Sequence, residues 1–228
     1  MLSLKEIGLK YPTNKNDYGF LDIYAKYFNV LRDKKLNILE IGVDKGDSLR
    51  LWREYFINAN ICGLDIEKKD FVIQNVEIFQ GDQNDKNLLN KIAKKYGKFD
   101  IIIDDGSHVS KHIINSFNHL FDHLSQTGIY IVEDLQTSYI PRYGGSRINL
   151  IKKNSSMNFF KSLSDSINYE NFDKPFFKKN RYDGLIKSVH FYQNIVFIFK
   201  GESKKYFHHN VKNSVLDRLK KLLSYFFR

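Results

Sequence analysis

The sequence is poor in residues that staple a chain or break it. Cys62 is the only cysteine, so no intrachain disulfide and no cysteine-based zinc site can form, and a lone thiol fits a reducing cytosol. Prolines are confined to Pro12, Pro141 and Pro175. No apolar run reaches the roughly 18 residues of a membrane span. The first residues, MLSLKEIGLKYPTNK, lack the continuous apolar stretch of a secretory signal, so none is expected. Internal repeats and low-complexity linkers are also missing. What is present is apolar substance: 42% of 228 residues are hydrophobic and 15% aromatic, which excludes a wholly disordered chain. The length suits one domain with short additions.

The net charge of +10 is uneven. Residues 203–228 carry seven Lys or Arg and one acid, Asp217, which leaves only +4 on the first 202 residues. A mildly basic body argues against a nucleic-acid partner, which wants its charge on the folded face. In the tail, Val215, Leu216, Leu219, Leu222, Leu223 and Phe226 mark one helical face behind a capping Ser214, with Arg218, Lys220 and Lys221 on the polar side. Residues 214–228 thus read either as a helix docked on the body or on another subunit of a homo-oligomer, or as a peripheral contact with an anionic membrane.

Between the ends, short apolar runs alternate with helical spacing. Strands are predicted at 37–43 (NILEIGV), 60–66 (NICGLDI), 76–82 (VEIFQGD), 99–104 (FDIIID) and 128–132 (GIYIV), with helices at 48–56, 84–96 and 109–124. Strands separated by helices imply a parallel α/β sheet, because parallel neighbours need crossovers. Residues 136–185 are irregular and aromatic, with a helix near 157–166, and read as a lid over an acceptor site. Residues 188–192 and 195–200 then form a hairpin around Gln193–Asn194. Residues 1–36 read as a helical cap, in which Leu21, Tyr24, Phe28 and Leu31 share a face.

Two sets of residues carry chemistry. In ILEIGVDKG, Glu40, Gly42 and Gly46 close the first strand, where glycines let a ligand approach the backbone, and Asp65 ends the second, the position of an acid that holds ribose hydroxyls. The second set lies in IIIDDGSHVSKH and YIVEDLQTSY. Asp104, Asp105 and His108 follow strand four, and Glu133 and Asp134 follow strand five. If those strands are neighbours their ends lie about 5 Å apart, and four carboxylates converge. Residues 99–110 and 128–141 contain no Lys or Arg. Carboxylates so close do not all ionise cheaply, and a divalent cation resolves the repulsion. Oxygen ligands without sulfur favour Mg²⁺, with Mn²⁺, Fe²⁺ or Ca²⁺ open. The competing reading is that the acids cap the following helix and turn. One constraint is geometric: adjacent strand residues face opposite ways, so Glu133 and Asp134 can both serve only where the strand has broken.

The glycine loop, Asp65 and the closing hairpin SVHFYQNIVFIFKG resemble class I S-adenosylmethionine methyltransferases. That resemblance implies a Rossmann-like fold over residues 37–202. The glycine loop would lie under the methionine end of S-adenosylmethionine, with Asp65 on the ribose and Asp82 and Gln83 of GDQND at the adenine; Asp104 is assigned to the same side. DDGSHxxxH, GxYIVEDLxTSY and SVHFY, with YPTNKNDYGFLDIYAKYF near the N-terminus, are similar to the metal-dependent sugar O-methyltransferases of macrolide biosynthesis, over roughly residues 8–202. Carried over, the resemblance implies Mg²⁺ on Asp105, Glu133 and Asp134 and His108 as the base. The catechol-type enzymes differ in having an Asp-Asn pair where this chain has Glu133–Asp134. The expected acceptor is a sugar-containing small molecule. The alternatives are a non-sugar diol, an RNA methyltransferase or RNA-binding protein (for which no N/D-P-P-Y sequence is present), and a catalytically silent binding domain. His112, His119 and His123 are expected on a helix surface without a direct role.

Overall fold

The computed structural model describes residues 1–171, 178–202 and 223–224. Seven strands form one sheet: β1 (Asn37–Ile41), β2 (Asn60–Asp65), β3 (Val76–Gln80), β4 (Phe99–Asp104), β5 (Leu124–Val132), β6 (Ile186–Tyr192) and β7 (Ile195–Lys200). Their order is β3-β2-β1-β4-β5-β7-β6. The first five are parallel, and β7 enters antiparallel between β5 and β6. Every expected strand is present, hairpin included, and Asn194 holds its turn with a left-handed φ of 63°. The fold is the class I methyltransferase architecture.

The helices are α1 (Leu4–Gly8), α2 (Asn14–Asp17), α3 (Phe20–Phe28), α4 (Asp47–Tyr55), α5 (Lys86–Tyr96), α6 (Ser110–Leu120) and α7 (Ser156–Ile167). Period-two alternation sends Ile38, Ile101, Ile103, Ile129, Ile131 and Phe197 to one face, where α1, α3 and α4 pack. It sends Leu39, Ile41, Ile102, Tyr130, Val132 and Ile198 to the other, against α5, α6 and α7. Both faces are covered, so strands one and four read as continuous apolar runs rather than alternating ones.

One junction differs from the sequence reading, and two segments contribute to the core. The helix expected over 109–124 ends at Leu120, and a 3₁₀ turn at Phe121–His123 leads directly into β5, which starts at Leu124 rather than 128. The polar Ser125, Gln126 and Thr127 hid the first half of that strand. The N-terminal segment is part of the first core. Leu4, Ile7, Phe20, Leu21, Tyr24 and Phe28 are all buried, and the Tyr24 and Phe28 rings pack on Trp52 of α4 at 5.2 and 5.7 Å. Phe160, Leu163 and Tyr182, which fall within the lid expected over 136–185, lie in the second core beside Ile186 of β6. The basic helix expected over 214–228 lies almost entirely outside the described residues. Among the described residues no helix is long and apolar enough to cross a membrane.

Gly42 ties the ends of β1 and β4 together. Its φ is 89°, and a Cβ there would stand 2.0 Å from the Asp105 carbonyl oxygen, so backbone meets backbone with no room for a side chain. Gly19 has a similar φ of 68° and nothing within 4 Å of its would-be Cβ. Gly19→Ala should therefore cost only the conformational strain, about 1 kcal/mol. Gly42→Ala should cost at least about 2 kcal/mol more, because the β4 loop must also move. Urea unfolding of the two variants measures the difference; equal losses would mean that the β4 loop yields freely.

Candidate functional site

All five parallel strands end on the same edge of the sheet, and the order turns between β1 and β4, where an open α/β sheet leaves a crevice for ligands. Two cavities lie there. The larger, about 440 Å³, is walled by Thr13, Lys15, Asp44, Asp105, His108 and Asp134, among others. The smaller, about 290 Å³, is walled by Leu64, Ile66, Asp82, Gln83, Ser107 and His112, among others. Gly42, Asp65 and Gly106 line both, so the cavities are two ends of one crevice.

Asp65 stands at the junction. Its Oδ2 accepts from the backbone N–H of Val43 (2.8 Å) and Asp44 (3.1 Å), and its Oδ1 from that of Glu67 (2.9 Å). Lys69 adds an ion pair at 3.1 Å. Burial pushes the Asp65 carboxyl up, but these donors outweigh it and hold the group below the usual carboxylate range. The acid is thus ionised and fixed against the glycine loop. In the smaller cavity Gln83 is buried: its Oε1 accepts from the Ser107 N–H (2.8 Å), and its Nε2 reaches Asp104 (3.2 Å) and Ser116 (3.1 Å). His112, expected to be peripheral, lines this cavity and bonds Ser107 Oγ through Nδ1 at 3.0 Å. His119 and His123 both reach Asn90, away from the crevice.

Glu40, Gly46 and Asp104 line neither cavity. Asp104 is buried and accepts from Ser116 (2.8 Å) and Tyr130 (3.2 Å), a hub that locks β4 to α6 and β5; burial raises its carboxyl despite those donors. Gly46 provides the left-handed turn into α4. Glu40 points beneath the loop, where it accepts from Ser48 (2.9 Å) and Trp52 (3.3 Å).

The carboxylates do converge. The strand breaks after Val132, and Asp134 takes a left-handed φ of 54°; His108 does the same at 57°. That break turns Asp134 toward Asp105 and His108, while Glu133 stays buried and outside their group. Asp105, His108 and Asp134 each offer a ligand atom within 4.8 Å of the others, and His108 Nε2 lies 3.7 Å from Asp134 Oδ2. Capping does not explain these acids. Val109 is the N-cap of α6 without a side-chain bond, and Asp134 starts its 3₁₀ turn without one.

One group here was missed. Lys15, fully buried on α2, places Nζ 2.8 Å from Asp105 Oδ2, 2.7 Å from Glu133 Oε1 and 3.5 Å from Glu40 Oε1. Burial alone would lower its pKa, but the three carboxylates outweigh burial and raise it well above the usual lysine value, so the ammonium stays charged. Glu133 also accepts from the buried Tyr24 hydroxyl at the same Oε1, and it stands outside the group formed by Asp105, His108 and Asp134 and outside the cavity lining. Burial pushes the Glu133 carboxyl up, against the pull of Lys15. The absence of cations near residues 99–110 and 128–141 was true of the sequence; the counter-charge arrives from far away along the chain. Burial also raises the Glu40 carboxyl, so Lys15 sits among acids that are costly to ionise without it. The carboxylate oxygens of Asp105 and Asp134, with one imidazole beside them, fit a hard divalent cation. The crevice beyond, apolar at its far end with an ionised acid midway, fits a nucleoside carrying a cationic chain.

No protein-family model matches the chain. It is 37% identical over 213 residues to mycinamicin VI 2''-O-methyltransferase of Micromonospora griseorubida, an alignment covering 88% of this chain and 53% of that protein. It is 36% identical over 209 residues to demethylmacrocin O-methyltransferase of Streptomyces fradiae, covering 87% and 53%. The chain thus spans about half the length of the curated relatives it matches. Among solved structures it is similar to the MycE methyltransferase of the mycinamycin biosynthetic pathway in complex with Mg, SAH and mycinamycin VI. The TM-score is 0.82 at 35% identity, over 92% of this chain and 57% of that one.

The buried network makes a stability prediction independent of any ligand. Tyr24→Phe removes a donor from a buried carboxylate and should cost about 1.5–3 kcal/mol, read from urea unfolding with far-UV circular dichroism of the native state unchanged. A loss below about 0.5 kcal/mol would show that Lys15 alone satisfies Glu133.

Proposed function

The chain carries a class I methyltransferase domain and is a relative of the macrolide-sugar O-methyltransferases, and on that premise we propose that it transfers a methyl group from S-adenosylmethionine to a sugar hydroxyl with the help of Mg²⁺. The observation that carries this reading is the meeting of Asp105, His108 and Asp134 at one end of a crevice that runs past Asp65 to Gln83. The acceptor class is a sugar-bearing small molecule, a nucleotide-activated sugar or a surface glycan unit, and the cytosol is the proposed setting.

In this reading Asp105 and Asp134 would hold the cation, and Glu133, which the resemblance implied as a further ligand, lies behind Asp105 on Lys15 and Tyr24. The Gly42 loop passes beneath the methionine end, Asp65 takes the ribose, and Asp82 and Gln83 meet the adenine. Bound there, the cation would acidify and orient a chelating hydroxyl, and S-adenosylmethionine would offer an electrophilic methyl. The rest is done by side chains. His108 faces the cavity at one-quarter exposure and accepts the hydroxyl proton as the oxygen attacks. Its strained backbone is held by Thr137, whose Oγ1 donates to the His108 carbonyl at 3.1 Å. Glu40 and Asp104 act from beneath, through Lys15 and Gln83.

The direct experiment incubates the protein with S-adenosylmethionine, Mg²⁺ and a panel of glycosides and nucleotide sugars, reading the mass gain of one methylene. Turnover should vanish on exhaustive chelation and return with Mg²⁺, while circular dichroism stays native. Full turnover in chelator would overturn the cation's role.

His108→Ala should lower kcat about a hundredfold to ten-thousandfold with S-adenosylmethionine affinity, measured by calorimetry, nearly unchanged. A variant that keeps most of its kcat would remove His108 from the proton transfer.

A further inference from the structure

Lys15 is not a member of the usual apparatus of an α/β sheet edge. It comes from α2, a four-residue helix capped by the Thr13 hydroxyl, and it reaches across the crevice floor to acids on β1, β4 and β5. Two of its partners, Glu40 and Glu133, are as dry as the lysine itself. The third, Asp105, turns its Oδ2 to Lys15 and also borders the cavity beside His108 and Asp134. Asp105 therefore belongs to two sets at once: a sealed ion cluster behind, and the open carboxylate and imidazole group in front.

We propose that Lys15 is a resident counter-ion of the cation site, a positioning residue that, anchored on Glu133 and Glu40, holds Asp105 in its binding arrangement and whose like charge weakens the binding of the cation with which it shares Asp105. The proposal rests on the cation reading above. Unpaired, buried carboxylates on neighbouring strands would repel one another and push apart. An ammonium 2.8 Å from Asp105 and 2.7 Å from Glu133 lets the protein fold with these acids close together and aimed before any metal arrives. The same ammonium repels an incoming divalent ion, so the site is organised without being tight. Lys15 and the cation are then partly interchangeable: removing one makes the fold lean on the other.

The test is Lys15→Met in the full chain, a change that keeps the stem and removes the charge. Thermal unfolding is followed with chelator and with millimolar Mg²⁺, and Mn²⁺ affinity is measured by calorimetry. The proposal predicts a lower melting temperature in chelator and a larger Mg²⁺-induced rise than in the native protein. Mn²⁺ should bind about tenfold more tightly, the loss of one repelling charge nearby. Lys15→Arg keeps the charge and should respond to cation as the native protein does. A Lys15→Met variant whose Mg²⁺ response is no larger than native, or which fails to fold even with Mg²⁺, overturns the proposal, while native Mn²⁺ binding keeps the cation reading standing. A larger Mg²⁺ response in Lys15→Arg also overturns it, since shape and not charge would then govern. Absence of Mn²⁺ binding in native and variant proteins alike overturns the cation reading and this proposal with it.

Discussion

A charged lysine sealed among three carboxylates is the interaction on which the rest of this structure depends. Lys15, Glu40 and Glu133 are all excluded from solvent, and breaking a buried pair of this kind by removing one partner costs about 3–5 kcal/mol. The cluster therefore dictates that the N-terminal segment dock on the sheet edge. It also explains why Tyr24, Phe28 and Trp52 form one aromatic cluster across α3 and α4: the lysine can be placed only if the helices around it are fixed. The N-terminal helical cap supplies Thr13, Asn14 and Lys15 to the wall of the larger of the two crevice cavities.

Above that floor, the site is assembled from backbone that L-residues seldom adopt. Asp44, His108 and Asp134 are non-glycine residues with φ of 46°, 57° and 54°, and Gly42 joins them at 89°. Such conformations cost roughly 1–3 kcal/mol each and persist only where surroundings over-determine them. Here each one aims something: Asp44 presents its N–H to Asp65, and His108 and Asp134 turn their side chains into one cavity with Asp105. Strain, clustered acids and a crevice at the switch point coincide at one edge of the sheet.

Much of this was legible in the amino-acid order. The strands were readable because each buried run is short, apolar and bounded by a turn, and the hairpin because Gln193–Asn194 interrupts two β-rich runs. Asp65, Asp105, His108 and Asp134 were readable because strand ends in a parallel sheet share an edge. Three things were not. The first half of β5 carries Ser125, Gln126 and Thr127 and has no apolar pattern to find. The inward turn of Glu40 and Asp104 follows from hydrogen-bond partners on α4, α6 and β5 that no local pattern reveals. Lys15 lay in plain view in YPTNKNDYGF, but nothing in a local window tells a surface lysine from one that closes a contact with Asp105 and Glu133 from the other end of the fold.

The account's central claim is that the acids at the ends of β4 and β5 form a cation site beside a nucleoside crevice. Anomalous diffraction from crystals grown with Mn²⁺ and S-adenosylhomocysteine tests it most directly. The account predicts a single strong peak within bonding distance of Asp105 and Asp134, and adenosine density running past Asp65 toward Gln83. A peak elsewhere, or adenosine density outside the crevice, would contradict it.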